Sequence, residues 1–250
     1  MHLKGIFLMY IDKELLLSAI TGGKIKPYLQ PIVNHDIEIK GFEVLSRWER
    51  HNSIILPYDF ICLLKENNAL LERWTLSIIE QLIMFFISNG KCNIELHINI
   101  YSKSFSENII ERILFLNEYV NVVVEILEDD FIEDEEDFKY KLMNMRSYGI
   151  QFAIDDFGCG FNNTDRLSKY KFDILKIDRK FILSIENNLF KYNLIKNIIS
   201  LSDDVDLKVI AEGVETVEQF KILNILGVKC FQGFLFYKAM PLNEIKELIW

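Results

Sequence analysis

The chain has 250 residues, with 28 Lys plus Arg against 37 Asp plus Glu, and half of its residues are hydrophobic. A formal charge of −9 speaks against a generic binder of polymeric DNA or RNA, whose phosphates need clustered cations; a small anionic nucleotide remains open if metal ions invert the local field. The four cysteines form no C-x-x-C pair, which argues against a zinc ribbon or disulfide framework and for a reducing, cytoplasmic compartment.

Residues 5–11 are apolar but too short for the core of a signal peptide. An extended entry and a short helix over 12–20 are expected instead, broken by Thr21-Gly22-Gly23. Residues 27–33 and 38–48 read as the first two strands, with Asn34-His35-Asp36 as the turn, and so short a link predicts an antiparallel pair. A helical stretch starts at Pro57 and runs to about 67; a longer amphipathic helix spans 70–88 and ends at Asn89-Gly90. Its most apolar part, 76–87, carries Glu80 and Gln81 and is too short to cross a membrane.

From there the alternation is regular. Strands at 94–99, 122–127, 150–155, 174–177, 207–211 and 230–232 are each followed by a helix: within 106–117, over 133–148, around 164–169, and over 188–201, 217–226 and 242–250. Roughly eight strands in this order predict an α/β fold, a (β/α)8 barrel with an irregular start. The alternative, an open doubly wound sheet, usually shows a glycine-rich phosphate loop after an early strand. Gly158-Cys159-Gly160 lacks the third glycine and follows a middle strand. With no repeat, low-complexity tract or linker, the expectation is one domain: residues 1–24 as an N-terminal extension and 25–250 as the barrel.

The organising stretch is 150–158. Ile150, Phe152 and Ile154 are read as buried, with Asp155 and Asp156 exposed at the strand's tip, as in a metal site at a sheet edge. Other predicted strands end the same way. Their polar tips are Glu43 and Arg47, Asn99, Glu125 with Glu128, Lys176 with Asp178, Glu212 with Glu215, and Gln232. A barrel opens all its C-terminal strand ends onto one face, so these groups are expected to meet there. Crowded carboxylates repel one another unless divalent cations lie among them, and an all-oxygen set suits Mg2+ or Mn2+. Two such ions can activate a water and stabilise both the attacking and leaving oxygens at phosphorus, with Asp155 a natural bridge. Lys176 is read as orienting or deprotonating that water, or as offsetting phosphate charge, and Arg47 as a direct phosphate contact. His97 is read as packed or solvated rather than as a ligand. Taken singly, each tip has a plainer reading: Asp155-Asp156 as a loop cap, Lys176 as a solvated rim residue, Glu212 to Glu215 as a helix cap. Their joint occurrence on successive strand ends favours the metal site.

At these residues the chain resembles the EAL-domain family of cyclic di-GMP phosphodiesterases, from about residue 26 to 241. The matching pieces are Tyr28-Leu-Gln-Pro-Ile-Val33, Glu43-Val-Leu-Ser-Arg47-Trp48, His97-Ile-Asn99-Ile-Tyr-Ser102, Val124-Glu125-Ile-Leu-Glu128, Asp155-Asp156-Phe-Gly158, Leu175-Lys176-Ile-Asp178-Arg179, Ala211-Glu212-Gly-Val-Glu215-Thr216 and Gln232-Gly233-Phe-Leu-Phe236. The resemblance implies a modified TIM barrel with an antiparallel first strand pair, and hydrolysis of cyclic di-GMP to linear pGpG. It implies that Glu43, Asn99, Glu125 and Asp155 hold one metal ion, and that Asp155, Asp156 and Glu212 hold a second. Lys176, Glu43, Glu215 and Gln232 form the expected catalytic set, Gln30, Arg47 and Asp178 the substrate contacts, and Glu128 the anchor of the loop after Asp156. It further implies a stand-alone member, a homodimer without membrane attachment, controlled by expression, dimerisation or a regulatory protein partner.

Three departures bear on that expectation. Val44 stands where the family has Ala. Cys159, Phe161, Asn162 and Asn163 replace hydroxyl-bearing residues of a loop that, in the family, links the metal site to dimerisation. Residues 236–241 replace the usual Ser-Arg-Pro-Leu-Pro. A catalytically silent adaptor that binds the nucleotide or a regulatory protein is therefore the alternative, and a two-metal phosphoesterase of other specificity a third reading.

Overall fold

The computed structural model describes residues 11–50, 53–127, 130–158 and 163–250. The extended entry expected before residue 11, Glu128 and loop residues 159–162 lie outside them. Ten strands are described: β1 Ile25–Asn34, β2 Ile39–Arg50, β3 Ser53–Ile55, β4 Glu95–Asn99, β5 Asn121–Leu127, β6 Gln151–Phe157, β7 Ile174–Ile177, β8 Lys208–Ala211, β9 Cys230–Phe231 and β10 Met240–Pro241. Eight of them close in the order β1-β2-β4-β5-β6-β7-β8-β9 and back to β1. β1 is antiparallel to both of its neighbours, and every other barrel pairing is parallel. The predicted antiparallel start is borne out, and it extends to the closing seam. The very short β3 and β10, which patterning did not reveal, add to β2 and β1.

Alternation along each strand sorts the side chains. On β4 to β8, Leu96, Ile98, Val122, Val124, Ile126, Phe152, Ile154, Leu175, Ile177, Val209 and Ala211 face outward into the layer beneath the helices. The inward positions between them carry an apolar cluster of Ile32, Val123, Ala153, Ile174, Ile210 and Cys230. Towards the mouth the same inward rows become polar.

The helices start where side chains satisfy their free N–H groups. Asp12, Asn67, Ser106, Asp134, Asn188 and Thr216 each accept a hydrogen bond from the first turn that follows. The expected 57–67 helix is instead a 3-10 turn, Pro57–Asp59, followed by a short helix, Ile61–Lys65. The long helix Asn68–Asn89 ends at Gly90 (φ 97°), and Gln81 donates from it to the Ile25 carbonyl of β1 at 2.9 Å. No described helix is long and apolar enough to cross a membrane.

Phe152 is fully buried outside β6, with the Arg146 guanidinium 5.0 Å from its ring centre. Phe152→Ala should therefore destabilise the protein by about 3–5 kcal/mol, read from urea unfolding.

Candidate metal and active site

Two adjacent residues on a flat strand point to opposite faces, so Asp155 and Asp156 need a local device to share one site. β6 supplies it. Pairing with β7 loses register between Ile154 and Phe157, and Asp156 adopts a left-handed backbone (φ 56°), a conformation that Asp tolerates better than most residues. Asp155 is not exposed as expected: it is 7% accessible and points into the barrel, and only Asp156 is half-buried. Oxygens of Asp155, Asp156 and Glu212 lie within 4.8 Å of one another and form a group that can hold a metal ion.

At the centre stands Lys176. It is fully buried, and its Nζ lies 2.7 Å from Glu212, 2.8 Å from Glu125, 2.9 Å from Asp155 and 3.6 Å from Glu43. The plain reading of this lysine as a solvated rim residue is excluded. Burial opposes its charge, but Asp155, Glu125, Glu212 and Glu43 outweigh burial and hold its pKa well above the ordinary lysine value. In this arrangement Lys176 Nζ is a hydrogen-bond donor to the carboxylates around it.

One ammonium does not neutralise so many acids. Burial pushes the Asp155 and Glu212 carboxyls above the usual range; the Lys176 charge opposes this, and neighbouring carboxylates reinforce it. Asp156 is pushed up to about 7 by burial, by the Asp155 charge and by a hydrogen bond with Asp178. Without cations, then, the cluster relieves its repulsion by taking up protons.

The amides complete the ring. Asn99 donates to Glu43 Oε1 (3.1 Å), and Gln232 donates to Glu43 Oε2 (2.6 Å) and Gln30 Oε1 (3.2 Å). Gln30 in turn donates to the Tyr237 carbonyl at 3.0 Å. Two buried oxygens are left wanting among the described residues: Gln232 Oε1 has no partner there, and Asp155 Oδ1 has the Lys176 charge close by but no aligned donor. Unsatisfied buried oxygens among carboxylates and amides suit a hard divalent cation.

Of the other expected site residues, Arg47 donates to the Ser46 carbonyl, and burial lowers its pKa while Glu43 raises it. Asp178 caps the short helix Arg179–Ile182 through Lys180 N at 2.6 Å. Glu215 does not join the central cluster around Lys176; its carboxylate receives Arg179 Nε and Nη2 at 3.0 and 2.6 Å. Val44 faces outward into the core, so its extra volume leaves the site untouched. Glu128 lies outside the described residues. A cavity of about 380 Å³ opens over the cluster, lined by Glu43, Asp155, Asp156, Glu212, Gln232 and the rim residue Phe234.

Two features escaped the sequence reading. Arg179 lines the same cavity, and its side chain packs so tightly on Gly213 that a Cβ there would come within 2.2 Å of it. A glycine between Glu212 and Glu215 was the available hint. His97, read only as packed or solvated, is fully buried and touches Glu125, with Nδ1 2.9 Å from Oε1. Burial opposes its charge, but Glu125 and Glu95 raise its pKa.

The EAL domain sequence model matches residues 13–239. The probable cyclic di-GMP phosphodiesterase PdeA of Escherichia coli (strain K12) is 32% identical over 236 residues, covering 91% of this chain and 32% of the relative. The cyclic di-GMP phosphodiesterase PdeR of the same strain is 28% identical, covering 93% of this chain and 36% of the relative. The chain thus spans about a third of the length of these two relatives. Among solved structures, an EAL domain protein from Listeria monocytogenes EGD-e superposes with a TM-score of 0.81 at 27% identity, covering 96% of this chain and 98% of that one.

The raised carboxyl pKa values predict a pH dependence. Asp156 binds its proton more tightly folded than unfolded, so its contribution to stability is full below about 4 and lost as pH rises through about 7. Chelated protein should therefore melt at a lower temperature at about pH 8 than at about pH 5. The stabilisation by saturating Mn2+ should be larger at the higher pH, where the ion no longer competes with protons. Thermal melts with and without EDTA test this, and a Mn2+ effect independent of pH would contradict it.

Proposed function

The chain belongs to the EAL domain family, and from that premise we propose that it is a metal-dependent phosphodiesterase that opens cyclic di-GMP to linear pGpG. The observation that carries this reading is the fully buried Lys176 ammonium, ringed within 3.6 Å by carboxylates from four parts of the barrel. In this reading Glu43, Asn99, Glu125 and Asp155 hold one divalent ion, and Asp155, Asp156 and Glu212 hold a second, Mg2+ or Mn2+. Bound there, the ions would supply Lewis acidity towards a water and the oxygens at phosphorus.

The rest falls to the chain's own side chains. Lys176 donates a hydrogen bond to the oxygen of the attacking water and orients it. Gln232 holds Glu43 in place, a role supported by their 2.6 Å hydrogen bond. Arg47 and Gln30 contact the substrate beside the mouth, Arg47 through a phosphate. Asp178, near Asp156, is a further substrate contact there, and Glu215 positions Arg179 at the rim. The water oxygen bonds to phosphorus as the bond from phosphorus to one ester oxygen breaks; the water gives up a proton to solvent, the freed oxygen takes one up to become a hydroxyl, the ring opens, and pGpG leaves. The same reading makes the protein a cytoplasmic homodimer that lowers a second messenger, with one EAL barrel over residues 25–250.

The test uses the 250-residue chain with Mg2+ or Mn2+ and follows cyclic di-GMP and pGpG chromatographically. Turnover is expected with at least one of the two metals, and Glu43→Ala should reduce it to background. Nucleotide binding by calorimetry without product under either metal would replace the hydrolase with a binding module.

A further inference from the structure

Below the candidate metal site, the barrel interior contains charges that the proposed chemistry does not use. His97 lies two residues before Asn99 on the same inward row of β4. Its Nδ1 is 2.9 Å from Glu125 Oε1, and its Nε2 is 3.4 Å from Glu95 Oε2. Glu95 is gripped by Lys208 Nζ of β8, at 2.8 and 2.6 Å to its two oxygens. On the far side, Glu125 is held by Lys176 at 2.8 Å. A row of side chains with alternating roles, Lys208–Glu95–His97–Glu125–Lys176, thus runs through the barrel. Lys208 and Glu95 keep some solvent contact, while His97, Glu125 and Lys176 have none.

The backbone is tailored to this row. Gly41 of β2 sits opposite Glu95, where a Cβ would lie 2.7 Å from the Glu95 carbonyl oxygen and 2.9 Å from its Cβ. Burying ions is costly, and replacing them with apolar side chains is often neutral or stabilising. That solution exists in the same interior, where Ile32, Val123, Ala153, Ile174, Ile210 and Cys230 pack together. An ionic row kept beside it points to a role other than stability. Both imidazole nitrogens face carboxylate oxygens, so His97 is placed to donate at both ends and clamp Glu125 from beneath.

We propose that His97, braced by the Glu95–Lys208 ion pair, is a positioning residue for the metal centre: it fixes the Glu125 carboxylate and, through it, the Lys176 ammonium. This rests on the reading of Glu125 as a metal ligand. Groups that orient a metal ligand from behind commonly carry a 10–100-fold share of metal affinity. Without His97, Lys176 is the one side chain among the described residues left holding Glu125.

The experiment titrates Mn2+ into the full chain and reads free Mn2+ by electron paramagnetic resonance, with no nucleotide present. His97→Ala should weaken binding about 10–100-fold. His97→Asn, whose amide still donates, should restore part of it. Lys208→Met, at the partly exposed end of the row, should weaken binding several-fold. The double variant should lose less than the product of the single losses, since both act through one contact. Folded His97→Ala with wild-type affinity overturns the proposal, as do independent, multiplying losses. If His97→Ala does not fold, Lys208→Met with wild-type affinity overturns it. Wild-type protein that binds no Mn2+ instead overturns the metal reading itself, which separates the two failures.

Discussion

The structure turns on a charge imbalance in a confined space. The Lys176 ammonium sits among Glu43, Glu125, Asp155 and Glu212, and burial strengthens every interaction in the group. Removing the lysine would leave its neighbours unneutralised in a low-dielectric interior. Removing the carboxylates would strand a buried cation. Burial, reinforced by the neighbouring carboxylates, raises the pKa values of Asp155, Asp156 and Glu212. A barrel that assembles this cluster needs something positive at its mouth, and protons serve where divalent ions do not.

The barrel makes that imbalance tolerable. Outward rows on its strands pack an extensive apolar layer against the helices, and the inward apolar cluster adds a second, smaller core. Those layers allow the mouth to be tuned for chemistry rather than for stability. At the mouth, the left-handed backbone at Asp156 sits where two consecutive carboxylates must serve one site. The rim is held by other means: Arg179 lies against Gly213 and ties down Glu215, while Phe236 packs edge-on against Phe220, so the altered segment before residue 241 is anchored by aromatic contact.

The interior row from Lys208 to Lys176 gives the centre a foundation. A carboxylate with donors on two sides has little rotational freedom, and donors fixed from behind hold it at small reorganisation cost. The two ends of the barrel are thereby coupled by contact, with the partly exposed Glu95–Lys208 pair at one end and the ammonium at the other.

Much of this was legible in the residues before any coordinates. Period-two runs ending in Glu43, Asn99, Glu125, Asp155, Lys176, Glu212 and Gln232 announced a barrel with an acidic mouth, because alternation and turn chemistry are local properties of the chain. The short link at Asn34-His35-Asp36 likewise dictated the antiparallel start. Tertiary structure decided the rest. That Asp155 is buried, that Lys176 is central rather than solvated, and that Glu215 turns to Arg179 all depend on which strand ends face one another across the mouth. His97 meets Glu125 across 28 residues of sequence, and Lys208 meets Glu95 across 113. A repeat of two assigns each side chain a face, but the closure and stagger of eight strands choose its neighbours, and with them its charge.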